Sequence, residues 1–311
     1  MLLGGIKSFI PSRTQYSMAE SPVDAKYGYS VWLRHVSALA KHGLSGPYPT
    51  VAEMGPGNSA VIAACALMCG SESYVALDVL PHLARGQVRS TLASVASLFT
   101  SKAPIPVDGP YKSLHPPVTN AAFPDEALRR FRGGTEATEL PSGFERDVSD
   151  LINGGVGGNT VRWLCPWTSG DLPTGSVDLL FSQAVLQEIP HSSSGGPLRE
   201  AFRVTNAFLR PGGIASHQID LGYYGEGPWN VHWTWSDVIW TLVRGKRENF
   251  VNREPLGTYL SLAAESGFDV IAADTVNEHG ANDKDLAPRF RNLPQSERRA
   301  RSVHLILRKR T

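Results

Sequence analysis

The feature that most constrains this chain is a short apolar run that enters a glycine-rich turn and leaves it as an apolar helix. Residues 50–53 predict a strand, residues 55–59 (GPGNS) a tight turn, and residues 60–69 (AVIAACALMC) a buried helix. A strand that opens through glycines into a helix lets backbone N–H groups approach a ligand at the helix N-terminus. The segment therefore predicts a ligand-binding turn, with a ligand-free strand-to-helix turn as the alternative.

The next predicted strand, residues 74–78, ends in an acid that supports a ligand at this turn. Asp78 follows the glycines by about 20 residues, the spacing at which an acid can bind the ribose hydroxyls of a dinucleotide. Gly55, Gly57 and Ala60 also satisfy the dinucleotide pattern G-x-G-x-x-G/A. NAD and S-adenosylmethionine both carry adenosine, so these residues alone predict an adenosine ligand without separating the two.

The rest of the chain alternates helices and strands around two stretches without clear periodicity. Helices are predicted at residues 27–42, 80–99, 198–209 and 257–266, and strands at residues 160–164, 176–182, 214–221, 268–276 and 302–309. The irregular stretches are residues 101–158, with short helices at 125–131 and 143–152, and the aromatic-rich residues 222–256. We expect an N-terminal helical cap (1–48) on one α/β domain (49–311) that carries these two insertions.

Composition and charge narrow the class of protein. The 30 Lys and Arg residues nearly balance the 29 Asp and Glu residues, and 41% of the residues are hydrophobic, which excludes a polyelectrolyte or a disordered tail. The three cysteines lack C-x-x-C spacing, and Cys65 and Cys69 lie on an apolar helix, so we expect core thiols, no metal site and a reducing compartment. No apolar run reaches the roughly 18 residues of a membrane span. The expected location is cytoplasmic.

Two blocks in the second half of the chain distinguish between the adenosine ligands. A strand of the type S-x-D-L-L/V-x-S fits residues 176–182, and an L-K/R-P-G-G turn fits residues 209–213. Together with the E-x-G-x-G turn at Glu53 and with Asp78, these blocks occur in the order found in class I S-adenosylmethionine-dependent methyltransferases, which the chain resembles. The resemblance covers residues 50–80 and 159–221.

The resemblance implies a Rossmann-like, doubly wound α/β fold with a mostly parallel sheet, a final antiparallel strand and inserted cap segments. It implies S-adenosylmethionine as cofactor, with Asp78 accepting both ribose hydroxyl protons. The residues expected around the cofactor are Glu53, Gly55, Gly57, Asn58, Ser59, Asp78, Pro166, Trp167, Ser182 and Gln183. Many relatives have an acid after the third strand, where this chain has Pro166. We expect Trp167 or Trp163 to pack on the adenine, with an ordinary core position as the alternative.

Ligands of open α/β sheets lie beyond the carboxyl ends of the strands, so residues after the fourth and fifth strands are candidates for the acceptor site. Methyl transfer to a poorly acidic hydroxyl needs a base, and His217 is the first candidate, followed by Glu188, His191 and His232. The residues expected to bind the acceptor are Gln187, His191, Gln218, Asp220, Tyr223, Trp229, Trp233 and Trp235. Their aromatic segment, residues 223–240, fits an acceptor pocket, a hydrophobic cover of the sheet or a dimer contact.

The predicted function is methyl transfer from S-adenosylmethionine to a small or medium organic acceptor, at oxygen or nitrogen. An NAD-dependent oxidoreductase and a non-catalytic binding protein of the same fold are the alternatives. The basic residues within 289–310 favour a solvated face over RNA contact because acids precede and interrupt them, so RNA methylation is the less favoured variant and no nucleic-acid partner is expected. Self-association into a homo-oligomer is left open.

Overall fold

The computed structural model describes residues 24–131, 140–192, 195–247 and 250–311, and a seven-stranded sheet in the order β3-β2-β1-β4-β5-β7-β6 forms its centre. The strands are β1 (Thr50–Met54), β2 (Ser73–Leu77), β3 (Val161–Leu164), β4 (Val177–Gln183), β5 (Leu209–Asp220), β6 (Phe268–Asn277) and β7 (Ala300–Lys309). Strand β7 is antiparallel to both β5 and β6, and the other neighbouring pairs are parallel. The mostly parallel sheet with a final antiparallel strand is confirmed.

Helices pack on both faces of this sheet, as the doubly wound fold class requires. They are α1 (Ala25–Lys41), α2 (Val61–Met68), α3 (Val88–Thr100), α4 (Asp125–Phe131), α5 (Phe144–Ile152), α6 (Pro197–Phe208), α7 (Asp237–Arg244), α8 (Leu256–Glu265), α9 (Pro288–Arg291) and α10 (Gln295–Arg299). Side chains alternate along each strand, so Val51 joins the core under α1 to α5 while Ala52 joins the core under α6 and α8. The sheet therefore separates two hydrophobic cores.

Helix α1 is an integral part of the first core. Tyr29, Trp32 and Leu33 are fully buried, and they pack among residues of α2. A Cβ on Gly28 would lie 2.5 Å from Cγ1 of Val61, so the missing side chain lets α1 cross α2 closely. The part of the expected N-terminal cap that precedes Asp24 lies outside the described residues.

Two predicted boundaries differ from the structure. The helix expected at residues 80–99 begins only at Val88, because residues 80–84 run as a loop whose Ala84 N–H donates to the Asn58 carbonyl (2.8 Å). The turn expected at residues 209–213 is present but lies within the span of β5, which begins at Leu209: the pairing with β4 jumps from Leu209 to Ile214, and Gly212 has φ +73°. Pro211 followed by a glycine of positive φ is the residue pair that such a turn favours.

Side chains of α1 hold the first insertion, and the buried Arg34 makes most of these hydrogen bonds. Its two predicted helices are confirmed as α4 and α5, and residues 132–139 between them lie outside the described part. Arg34 is 3% exposed and donates to the carbonyls of Leu114 (2.9 Å), Pro116 (2.9 Å) and Pro106 (3.0 Å). These bonds hold the loop after α3 against the middle of α1.

The second insertion, residues 222–256, contains a short 3-10 helix (Val231–Thr234) and α7. Of the helices described, none has both the length and the apolar composition needed to cross a membrane.

Candidate functional site

A small cavity lies between the turn after β1 and the N-terminal part of α1. Its walls are Asp24, Tyr27, Gly28, Glu53, Gly55, Pro56, Asn58, Ser59, Val61, Ile62 and Gln183. The structure therefore brings together most of the predicted turn residues with Gln183 of β4. The carboxyl ends of β1 and β4 meet here because the two strands are parallel neighbours.

The glycine turn depends on left-handed backbone and on a close contact with the segment after β4. Gly55 and Gly57 have φ of +71° and +69°, a region that side chains disfavour. A Cβ on Gly55 would lie 2.4 Å from Cγ2 of Val185, so only glycine fits beneath this side chain. Ala184 has φ +54°, an uncommon conformation for a residue with a side chain, and it turns the chain from β4 towards Gly55.

Asp78 lies directly after β2, behind the glycine turn. Its Oδ1 accepts the N–H groups of Val79 (2.7 Å) and Leu80 (3.2 Å). Its Oδ2 is buried and has no hydrogen-bond partner among the described residues. Burial raises the pKa of Asp78, while the N–H groups of Leu80 and Val79, the charge of His82 and, least, the N–H of Gly57 in the glycine turn act in the opposite direction, although none forms a hydrogen bond of normal geometry with Oδ2. A buried carboxylate oxygen without a donor is costly, which makes Oδ2 a ready acceptor for hydroxyl groups of a ligand.

Asp78 is 5% exposed and does not line the cavity in this conformation. The loop 79–84 follows Asp78 directly, and the Ala84 N–H bond to the Asn58 carbonyl ties that loop to the glycine turn. Val79, the first residue of this loop, is 59% exposed.

Glu53 faces the cavity from the end of β1 and is buried. The Tyr74 hydroxyl of β2 donates to its carboxylate. Burial and, secondarily, the charge of Asp78 raise the pKa of Glu53 well above its ordinary value. Burial and the nearby Glu53 also raise the pKa of Tyr27 to about 12. The cavity wall thus carries a carboxyl group that an incoming cation would stabilise as carboxylate.

Gln183 connects the cavity to a buried polar chain. Its Nε2 donates to the His115 carbonyl (3.1 Å), so its Oε1 must face His35, whose Nε2 lies 3.1 Å away and must carry the proton. His35 Nδ1 then accepts from Ser216 Oγ (2.8 Å). Burial lowers the pKa of His35 to about 4, so the ring is neutral near pH 7. This chain of bonds fixes the orientation of the Gln183 amide.

Other predicted residues form a second polar group at the ends of β4 and β5. Tyr224 donates to Glu188 Oε1 (2.9 Å) and accepts from Gln187 Nε2 (3.0 Å). The Asp220 N–H donates to Gln187 Oε1 (3.4 Å), and Arg301 forms an ion pair with the Asp220 carboxylate. Gln218 is buried and accepts from Gln183 Nε2 (3.2 Å). Gln187, Glu188 and Asp220 therefore do lie together, whereas Gln218 belongs to the buried chain around Gln183.

The structure corrects the prediction that His217 is a base at an open acceptor site. His217 is 1% exposed, and its side chain points to the core under α6, where its ring packs on Phe202 and its Nδ1 lies 2.8 Å from Ser182 Oγ. Burial, with a smaller effect of His35, lowers the pKa of His217 to about 3. Ser182 points to the same face, away from the cavity. Both residues are therefore core hydrogen-bonding groups in this conformation.

The aromatic segment is also mostly core. Trp233 is fully buried and stacks on Phe290, with ring centroids 4.9 Å apart, and Trp229 packs against Trp233 at 5.3 Å. His232 is 1% exposed and stacks on Tyr223 at 5.6 Å, and burial lowers its pKa to about 3. The predictions that Trp229 and Trp233 bind the acceptor and that His232 acts as a base are corrected accordingly.

Tyr223 and the half-buried Trp235 belong to the same cluster of aromatic side chains, which also includes Trp240 and Phe250. The reading of the segment as a hydrophobic cover agrees with this packing.

The remaining predicted positions do not line the cavity. The Trp167 N–H donates to the Asp78 carbonyl (3.2 Å), so residues 165–167 run beside Asp78, but the Trp167 ring packs near Phe208 at 6.1 Å. Trp163 is buried in the first core, while Pro166 is exposed. His191 lies at a separate surface groove formed with α8.

Sequence reasoning missed the residues that α1 contributes. Asp24, Tyr27 and Gly28 line the cavity, and His35 fixes Gln183. One signal was present, since a glycine within an apolar helical pattern marks a close approach of another element. Tyr224 and Arg301 had no local signal. Within the described residues, no group of three or more His, Cys, Asp or Glu side chains could hold a metal ion.

No protein-family model and no curated protein matches the chain. Solved structures similar to it include an S-adenosylmethionine-dependent methyltransferase from Mesorhizobium loti, at 14% identity and a TM-score of 0.40 over 88% of this chain and 96% of that one. A second, from Methanosarcina mazei, has 11% identity and a TM-score of 0.40 over 87% and 97% of the two chains. The cyclase SpnF has 12% identity and a TM-score of 0.40 over 89% and 80%. Likeness at this level concerns the overall fold, and no ligand or substrate follows from it.

Proposed function

We propose that this protein binds S-adenosylmethionine and transfers its methyl group to a small or medium organic acceptor, at oxygen or nitrogen. The observation that carries the proposal is the Oδ2 atom of Asp78, a buried carboxylate oxygen without a donor at the carboxyl end of β2. Ribose hydroxyls are donors that fit such an oxygen, and hydrogen bonds to an ionised acceptor are among the stronger ones. Gly55 and Gly57 belong to the turn after the neighbouring strand β1.

The residues of the cavity suit the methionine end of the same ligand. Glu53 offers a carboxylate to the amino group, and the Tyr74 hydroxyl holds this carboxylate in place. Helix α1 covers the turn with Tyr27 and Gly28, which limits access of water. When bound, the cofactor supplies an activated methyl group, and the chain's task is to align the acceptor in line with it and remove a proton where needed.

Two features favour S-adenosylmethionine over NAD. The strand-β4 and strand-β5 blocks, residues 176–182 and 209–213, carry the resemblance to class I methyltransferases. The sheet also places an antiparallel β7 between β5 and β6, whereas the parallel dinucleotide-binding sheet runs in the order 3-2-1-4-5-6. The NAD-dependent oxidoreductase remains the second candidate because Gly55, Gly57 and Ala60 satisfy the dinucleotide pattern.

The Asp78→Asn variant tests this assignment. Asparagine can keep the carbonyl oxygen that accepts from Val79 and Leu80, but it replaces the free Oδ2 with an N–H donor and removes the charge. Loss of a charge-assisted hydrogen bond corresponds to about 10- to 100-fold weaker binding of S-adenosylmethionine and S-adenosylhomocysteine in calorimetric titration.

The matched control is Asp108→Asn, which removes the same charge at an exposed position. It should bind both ligands as the unmodified protein does. Unchanged affinity of the Asp78→Asn variant, with its circular dichroism spectrum and melting temperature preserved, would remove Asp78 from the binding site.

A further inference from the structure

Glu188 differs from the other half-buried or buried acids near the second insertion because no basic side chain neutralises it. Asp220 has Arg301 as its partner, and Glu254 accepts from Arg289 (2.6 Å). The Glu188 carboxylate accepts only the Tyr224 hydroxyl, and no Lys, Arg or His among the described residues forms an ion pair with it. It is half-buried at the end of the 3-10 turn Leu186–Glu188.

The surroundings of Glu188 favour an incoming cation. Burial raises the pKa of Glu188 to about 7, and the Tyr224 hydroxyl, which stabilises the charged form, offsets this only in part. A half-buried carboxylate has lost part of its hydration, which destabilises its charged form when no counter-ion is near. A bound cation offsets this loss. A carboxylate whose pKa lies near neutrality is also well matched to accept and release a proton.

Tyr224 adds a second attraction for a cation. Its hydroxyl end is fixed between Gln187 and Glu188, while its side chain is 50% exposed. Gln187 is in turn 1% exposed and bonded to the backbone N–H of Asp220. The ring is therefore presented to solvent in a fixed position beside the carboxylate, and aromatic faces attract ammonium groups.

This group of residues lies at the same edge of the sheet as the cavity. The segment that carries Glu188 leaves β4 at Gln183, which lines the cavity. Two residues later, Val185 packs on Gly55 of the cofactor turn. Glu188 follows within one short turn, and Gln187 joins it to the end of β5. Parallel strands β1, β4 and β5 bring these ends together.

We propose that Glu188 and Tyr224 form the subsite for the acceptor, and that the acceptor is an amine that arrives protonated. This inference rests on the proposed function. Glu188 binds the ammonium group and takes one of its protons, which leaves a neutral amine with a free lone pair. The nitrogen then forms a bond to the transferable methyl carbon while the carbon–sulfur bond breaks and its electron pair stays on sulfur. The proton on Glu188 passes to solvent as product leaves.

The test compares a cationic probe with a neutral probe of the same shape. We would titrate 2-phenylethylamine, methylamine and 2-phenylethanol into the full chain, with and without S-adenosylhomocysteine. The Glu188→Gln variant keeps an acceptor for Tyr224 but loses the charge, and Glu226→Gln removes a charge from an exposed position in the same segment as Tyr224. A Tyr224→Leu variant removes the aromatic face.

The expected result is binding of at least one amine, weakened tenfold or more in Glu188→Gln, weakened to a smaller extent in Tyr224→Leu, and unchanged in Glu226→Gln. The alcohol should bind weakly and equally to all of these proteins. Equal amine affinity in Glu188→Gln, a preference for the alcohol, or no binding of either amine would overturn the subsite.

A chain that binds the amines in this pattern but not S-adenosylhomocysteine would support the subsite and contradict the proposed cofactor. The amine titrations without S-adenosylhomocysteine therefore distinguish a wrong acceptor subsite from a wrong cofactor.

Discussion

The two ends of the candidate site are built in different ways. The proposed cofactor end is centred on the turn after β1 and on Asp78 after β2, which lie within one βαβ unit, and α1 and Gln183 complete the cavity wall. The proposed acceptor end consists of Glu188 and Tyr224, which are linked through Gln187 and Asp220 to Arg301, so its residues come from three separate parts of the chain. At the cofactor end, backbone conformation and one carboxylate define the geometry. At the acceptor end, side chains hold one another in place.

This difference determines what a substitution will change. A residue of the cofactor end can be replaced with loss of ligand affinity and little loss of core packing, because its role depends on backbone shape or on an unused polar atom. The aromatic segment of residues 223–240 lies mostly within hydrophobic cores, so substitutions there should reduce stability first. The following variants test this contrast, from the largest expected effect to the smallest.

Trp233→Ala should destabilise the fold without reducing cofactor affinity. Trp233 is fully buried and stacked on Phe290, so its removal leaves a large cavity and should lower the free energy of unfolding by about 3–5 kcal/mol. Urea titration gives this value, and calorimetry at a temperature where the variant is folded gives the affinity. Loss of affinity for S-adenosylhomocysteine with unchanged stability would place Trp233 in the ligand site instead.

Gly55→Ala should weaken cofactor binding. The new Cβ would clash with Val185, and the backbone would keep a φ of +71°. We expect this conformation to cost roughly 1–3 kcal/mol, so that the turn shifts away from the geometry that binds the cofactor. Adding Val185→Ala removes the clash but keeps the backbone strain, and it should restore part of the affinity. Gly86→Ala, where no atom lies within 4 Å of the new Cβ, is the control. Full affinity in Gly55→Ala would show that the turn does not contact the ligand.

His217→Asn should change the pH dependence of stability. His217 is neutral in the folded protein because burial lowers its pKa to about 3 from 6.5. Between these values the unfolded chain binds one more proton, so stability falls as the pH falls, by up to about 1.4 kcal/mol per pH unit for this group. Asparagine can still bond to Ser182. Urea titrations at pH 5 and 7 should therefore show a smaller pH effect in the variant, and an identical effect would mean that His217 is charged when folded.

The cofactor end was predictable because its signals are local. The strand, the glycine turn and the acid at the end of the next strand occur within residues 50–78. Apolar runs located the strands, the glycines located the turn, and the spacing of about 20 residues singled out Asp78. Their alignment in space follows from the parallel pairing of β1 with β2. The turn glycines also indicated a left-handed backbone, because few other residues adopt a positive φ.

The acceptor end was not predictable to the same degree. Strand β5 carries Ser216, His217 and Gln218 in succession, so polar residues point to both faces and the sequence does not show which face is open. Aromatic residues such as Trp229 and Trp233 suit a core as well as a pocket. Tyr224 and Glu188 are 36 residues apart in the sequence, and Arg301 and Asp220 are 81 apart. Hydrophobic periodicity carries no information about contacts at such sequence separations.

Calorimetric titration of the full chain with S-adenosylmethionine, S-adenosylhomocysteine and NAD, run side by side, tests the central claim most directly. The account predicts saturable binding of both sulfur ligands with one site per chain, and no binding of NAD. Binding of NAD alone would contradict it and would assign the glycine turn and Asp78 to a dinucleotide.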